Sequence, residues 1–149
     1  MPACNESLNW IIKDRLAVGD RKAGTDLRHL KELGFDGIIS CVPELPRSLE
    51  AYQRHNIDVL HISIHDNVRE NIGAWFQRAY DFIRTHKRVF VHCAAGMSRS
   101  VSIIASYIIK RYHKPADKVL NYIRSKRPCE SVNRGFRDQL QQWEHKQLN

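Results

Sequence analysis

Short apolar runs alternate with longer segments of helical period along most of this chain. Gly37 to Val42 and Arg88 to His92 read as strands buried on both faces, and the alternation in Val59 to Ile64 puts Leu60, Ile62 and Ile64 on one face. Ile72, Trp75, Phe76, Ala79, Tyr80 and Ile83 recur at three- and four-residue intervals and predict an amphipathic helix whose stripe is core. Ser98 to Lys110 is apolar almost all round, which predicts a helix buried against a sheet. Pro115 opens a helix carrying Val119, Leu120 and Ile123, and Asn133 caps a last one carrying Phe136, Leu140 and Trp143. Leu27, Leu30 and Leu33 before Gly34 give a short helix with a glycine stop. Trp10 to Val18 reads as an edge hairpin.

Strand and helix in alternation imply an α/β fold: a central, mainly parallel sheet of about five strands with helices on both faces. In such sheets ligands bind at the carboxyl ends of the strands, so chemistry is expected there. The 149 residues suit one domain, 1–149, with a core from about residue 10 to 144. A chain of this length buries roughly two thirds of its unfolded surface and is expected to fold without disulfides. With 42% hydrophobic and 27% charged residues, disorder and fibrous repeats are disfavoured. No apolar run approaches the roughly 18 residues of a membrane span. The start lacks a signal-peptide pattern and has Pro2 where myristoylation needs glycine, so cytosol or nucleus is the expected location.

Charge narrows the partners. The formal net charge of +8 favours anionic ones: phosphorylated substrates, nucleic acid or acidic membranes. Cys4, Cys41, Cys93 and Cys129 are far apart with no CxxC pair, so zinc is unsupported and thiols are expected in a reducing compartment.

The segment Val89 to Ser100 carries the strongest chemistry. A strand runs through a tight loop into a helix, and a cysteine sits at the turn. Backbone N–H groups of such a loop, with the positive end of the following helix, form a nest for a tetrahedral anion and stabilise a thiolate. Arg99, six residues after Cys93, offers a planar fork to two phosphoryl oxygens. Ser100 can donate a hydrogen bond to sulfur, and Gly96 permits the turn. A bare Cys-x5-Arg occurs by chance about 0.4 times in a chain of this composition, and Cys41 to Arg47 shows it. There Pro43 and Pro46 lack N–H donors and Glu44 would repel phosphate, so that copy is a decoy. Requiring His92, Gly96 and Ser100 as well lowers chance to about one in ten thousand.

His92 to Ser100, His-Cys-x5-Arg-Ser with Ala-Gly-x-Ser-Arg-Ser inside, closely resembles the signature of the cysteine-dependent dual-specificity protein phosphatases, in the small atypical class of the protein tyrosine phosphatase superfamily. The likeness runs from about Trp10 to Glu144 and includes an aspartate after the preceding strand, Arg127-Pro128, and Asn133-Arg134-Gly135-Phe136 leading to Gln139-Leu140. Members often have proline where Val132 stands. The resemblance implies hydrolysis of phosphotyrosine, and of phosphoserine and phosphothreonine, through a phosphocysteine, with no metal or cofactor. Its phosphate-binding loop would be His92, Cys93, Ala94, Ala95, Gly96, Met97, Ser98 and Arg99, which would take phosphate, vanadate or tungstate. Cys93 would be nucleophile, Arg99 would hold phosphoryl oxygens, and Ser100 would assist the leaving sulfur. Asp66 is expected as general acid, because the strand before it ends near the sheet edge of Cys93; Asp58 lies at the opposite end and Asp81 in a helix. Asn133 would play a supporting part, and His92 would orient the loop.

Weaker features remain. Cys41 ends a strand, which would bring it near Cys93, and a similar cysteine in the related phosphoinositide phosphatases is an oxidation partner; a reversible Cys41–Cys93 disulfide is one reading, although a plain buried thiol is favoured. His61 and His65 share a strand face but lack a third zinc ligand. The basic stretch Lys110, Arg111, Lys114, Lys118, Arg124, Lys126 and Arg127 reads as a solvated face rather than a nucleic-acid surface. Two alternatives stay open: a phosphatase for phosphoinositide or RNA 5′ phosphate, disfavoured because Ala94, Ala95 and Met97 bring no cation into the loop, and a phosphoresidue-binding module without turnover.

Overall fold

The computed structural model describes residues 4–149; the expectation resting on Pro2 lies outside the described residues. The strands are β1 (Leu8–Ile12), β2 (Leu16–Gly19), β3 (Gly37–Ser40), β4 (Asp58–His61) and β5 (Val89–His92). They form one sheet in the order β1-β2-β5-β3-β4, parallel except for the antiparallel β1–β2 pair. The helices are α1 (Arg21–Thr25), α2 (Leu27–Glu32), α3 (Leu49–Arg54), α4 (Phe76–Arg84), α5 (Arg99–Tyr112), α6 (Ala116–Lys126) and α7 (Arg134–Leu148).

Strand alternation divides the core into two layers. Ala17, Ile38 and Phe90 pack with Leu27, Leu30, Phe35, Ala51 and Tyr52 beneath α1–α3. Leu16, Val18, Ile39, Val89 and Val91 face the layer of α4–α7, where α5 is buried from Arg99 to Ile109, as its all-round apolar pattern predicts.

The expected α/β architecture and five-stranded sheet are present, with corrections at the element level. The hairpin is real, but of its two strands β1 alone lies at an edge: β2 pairs parallel with β5 inside the sheet. The run Val59–Ile64 leaves the sheet after His61, so His65 does not share a strand face with His61, whose Nε2 bonds the Val42 carbonyl. Ile62 and Ile64 nonetheless reach the core. The amphipathic stripe of Ile72 to Ile83 begins as a single 3-10 turn, Ile72–Trp75, before α4. Short α1 and α3 have too few residues for periodicity; each is fixed by a side-chain cap, Asp20 on Ala23 N–H and Ser48 on Ala51 N–H.

The cysteines are paired unexpectedly. Cys4 and Cys129 form a disulfide, with Cα atoms 5.2 Å apart across 125 residues of chain, whereas Cys41 and Cys93 are free.

Candidate active site

Register brings the chemistry together. Ser40 pairs with His92 across β3 and β5, and the Cys41 N–H donates to the His92 carbonyl at 2.8 Å. The next residues, Cys41 and Cys93, therefore leave adjacent strands at the carboxyl edge and enter the same core layer. His92 and Ser40 face the other layer, where the Ser40 hydroxyl and His92 Nε2 lie 2.8 Å apart and His92 Nδ1 meets the Cys93 carbonyl at 3.3 Å. Burial pushes His92 down from 6.5 to about 4, with Arg21 and Arg99 adding to the effect, so the ring is neutral near pH 7. Its Nδ1 contact ties it to the loop, and α1 clamps it: a Cβ on Gly24 would lie 2.6 Å from the imidazole.

Every carbonyl from Cys93 to Ser98 is engaged by the surrounding protein. His92 meets that of Cys93; Arg21 N–H donates to Ala94 at 3.0 Å; the Arg127 guanidinium donates to Ala95 at 3.2 Å and Gly96 at 2.7 Å; Ser131 N–H donates to Met97 at 2.8 Å; and Ser102 N–H and Oγ donate to Ser98. In a trans peptide the N–H points opposite to its C=O. Anchoring these carbonyls outward therefore turns the N–H groups of Ala94 to Arg99 toward the concave side, the anion nest expected of the loop. Gly96, at φ +69°, makes the turn, and a Cβ there would lie 2.6 Å from both an Arg127 nitrogen and the Gly19 carbonyl oxygen.

Within the loop the Gly96 N–H donates to Cys93 Sγ at 3.2 Å, and the Ser100 hydroxyl is 3.2 Å from the same sulfur. Arg99, 8% exposed, donates one nitrogen to the Ile64 carbonyl at 3.1 Å, and its Nε is buried without a partner among the described residues. Its fork thus retains donors for an anion. Cys41 is fully buried; desolvation first, and then the neighbouring Cys93, push its thiol well above the ordinary value, while Arg99 opposes them. It stays protonated, which makes it a poor nucleophile. The decoy Cys41–Arg47 forms no such cradle: Arg47 turns away to the Thr25 carbonyl.

Asp66 follows β4 on an exposed loop and is gripped by α7. Asn133 Nδ2 donates to Asp66 Oδ1 at 2.8 Å, while Asn133 Oδ1 caps the helix on Phe136 N–H. Gly135 lets α7 approach the same loop, since a Cβ there would lie 2.0 Å from the Val68 carbonyl oxygen. Gln139 accepts from Gly73 N–H and donates to the Glu70 carbonyl. These contacts give Asn133, Gly135, Phe136 and Gln139 one task, fixing the aspartate loop against the helix. Ser98 Oγ accepts from Asn133 N–H at 3.0 Å, which ties that grip to the cysteine loop. Val132 is 5% exposed and plugs the core.

One sequence reading is overturned. Arg127 belongs to no solvated face: it is fully buried, and besides the loop carbonyls it donates to the Glu6 carbonyl at 3.0 Å and Asn9 Oδ1 at 2.6 Å. Burial lowers it from the usual arginine value, opposed by Asp20, Cys93 and Glu6, and a guanidinium remains charged under such a shift. Two other members of that stretch are also engaged: Lys110 donates to Gln77, and Arg124 pairs with the buried Glu130. The dipeptide Arg127-Pro128 signalled the position of Arg127 but not its role; Asn9 and Ser40 had no sequence signal.

Comparison with known proteins fits this geometry. Residues 16–146 match the family model of the dual specificity phosphatase catalytic domain. A probable dual specificity protein phosphatase of Dictyostelium discoideum is 33% identical over 132 residues, 87% of this chain and 59% of that protein. Human dual specificity protein phosphatase 1 is 32% identical over 80% of this chain and 32% of its own length. The chain thus spans less than two thirds of these curated relatives. The Yvh1 phosphatase domain from Chaetomium thermophilum superposes with a TM-score of 0.83 at 28% identity, covering 93% of this chain and 96% of that one. The cysteine loop, its arginine and the supporting α7 thus belong to a member of the dual specificity phosphatase family, catalytic domain.

Proposed function

We propose that this chain hydrolyses phosphotyrosine, and phosphoserine and phosphothreonine, in proteins through a phosphocysteine. The observation that carries the reading is the run of anchored carbonyls around a sulfur held by Gly96 N–H and Ser100. Cys93 sulfur attacks phosphorus; Arg99 and the inward N–H groups hold the equatorial oxygens as charge redistributes. The P–O bond breaks and Asp66 gives its proton to the departing oxygen. Water then attacks the phosphocysteine, Asp66 takes its proton, and the P–S bond breaks as Ser100 donates to sulfur. The route uses no metal or cofactor.

Ala94 and Ala95 are exposed and uncharged at the mouth, which favours a phosphorylated side chain over a polyanionic headgroup or nucleic acid. Phosphate, vanadate and tungstate are the inorganic ligands of the same nest. The test is release of phosphate from p-nitrophenyl phosphate and from phosphopeptides, with phosphoinositide and 5′-phosphorylated RNA as competitors. Vanadate-sensitive turnover, greatest on peptides and lost in Cys93→Ser, is expected. Greater turnover of lipid or RNA overturns the substrate class, and no turnover with phosphopeptide still bound leaves a binding module.

Cys41 enters this reading as redox partner. Peroxide oxidises Cys93 to a sulfenic acid, the Cys41 sulfur displaces water, and a disulfide forms. Non-reducing peptide mapping after peroxide is expected to yield a Cys41–Cys93 link; sulfinic Cys93 alone argues for a plain buried thiol.

A further inference from the structure

A cavity of about 470 Å³ opens where the carboxyl end of α5, the first turns of α6 and the end of β1 meet. Ile12 pairs with Leu16 at the start of β2, so this is the amino-terminal edge of the parallel strands, away from Cys93. Ile12, Ile108 and Val119 supply aliphatic lining; Tyr112 and Tyr122, 46% and 42% exposed, supply aromatic lining. Among the described residues the only charged side chains lining it are Lys114 and Lys118, both exposed and neither paired with a carboxylate. Asp117, between them in sequence, does not line the cavity.

The volume lies within the range of small-ligand pockets, roughly 300 to 1,000 Å³. An inorganic anion would leave the aliphatic surface wet, whereas an uncharged hydrocarbon would make no use of the two ammonium groups at the rim. A molecule with one apolar chain and one anionic head satisfies both. We propose that this groove is a second ligand site, for a single-chain anionic amphiphile, its head at Lys114 and Lys118 and its chain against Ile108 and Val119. The site stands apart from the phosphatase reading, yet its two helices lead to the cysteine loop: α5 starts at Arg99, and α6 ends one residue before Arg127.

The probe is decanoate below its micelle concentration, titrated calorimetrically into the full chain with saturating tungstate present, and again into Cys93→Ser. One-to-one binding is expected in both, with dodecyltrimethylammonium and decanol bound at least tenfold more weakly. The double variant K114E/K118E, at two exposed positions, is expected to keep the thermal midpoint and lose at least tenfold in decanoate affinity. No saturable binding, equal binding of the cationic amphiphile, or unchanged affinity in the double variant overturns the proposal, whatever the phosphatase assays show.

Discussion

Arg127 holds two of the peptide units that make the anion nest, and its replacement tests whether carbonyl anchoring sets the loop. The unit joining Ala95 to Gly96 carries the N–H that reaches Cys93 Sγ, and the unit joining Gly96 to Met97 carries the next donor. Arg127→Met keeps the aliphatic bulk but removes hydrogen bonds to four acceptors: the carbonyls of Glu6, Ala95 and Gly96, and Asn9 Oδ1. Its partners are neutral acceptors, and each one left buried and unsatisfied costs about 1 to 3 kcal/mol of stability, read by urea denaturation. One misdirected oxyanion donor costs about 100- to 1,000-fold in kcat. Arg127→Lys restores a charge but not the fork, so a stability loss of about 1 to 3 kcal/mol and a kcat loss near tenfold are expected. The assay is p-nitrophenyl phosphate turnover with tungstate affinity at a temperature where both variants are folded. A folded Arg127→Met protein with unchanged kcat and tungstate affinity refutes the anchoring argument, whereas loss of stability alone reduces Arg127 to a staple.

Three other outcomes follow from named contacts. His92 is neutral when folded because burial pushes it to about 4, whereas the unfolded chain binds that proton nearer 6.5; the stability this contributes is complete above about 6.5 and falls by about 1.4 kcal/mol per unit as pH drops toward 4. Urea titrations at pH 7 and 5 are expected to show about 2 kcal/mol lost on that account, absent in His92→Gln; parallel losses in both proteins refute it. Asp66→Asn is expected to slow alkyl phosphates about 100-fold or more and aryl phosphates less, with Asn133→Ala shifted the same way through the lost 2.8 Å bond; equal losses on both substrate types assign the acid elsewhere. Cys4→Ser opens a disulfide spanning 125 residues and is expected to cost about 2 to 5 kcal/mol against the oxidised chain, with no difference once both are reduced.

How much of this was legible in the sequence depends on whether a residue's partners are local. Cys93, Gly96, Arg99 and Ser100 sit within eight residues, and strand, turn and helix follow from their own pattern, so the nest could be read before its walls were seen. Asp66 could be expected after β4 because strand polarity fixes which end of that strand meets the cysteine edge. Arg127 could not: its acceptors lie 31 and 32 residues upstream in the loop and 118 and 121 residues upstream in the N-terminal segment, and no periodicity reports such a convergence. Its place in a run of cations at helical spacing suggested solvent, but α6 has ended when Arg127 arrives, and the backbone there, φ −131°, turns the side chain off the helical face. The Cys4–Cys129 bond is hidden for the same reason, and it closes the same junction: Cys129 lies two residues beyond Arg127, and Cys4 two before Glu6. The segment that the sequence left without a role and the arginine that it assigned to solvent thus form one brace, and that brace fixes the peptide orientation on which the cysteine's anion nest depends.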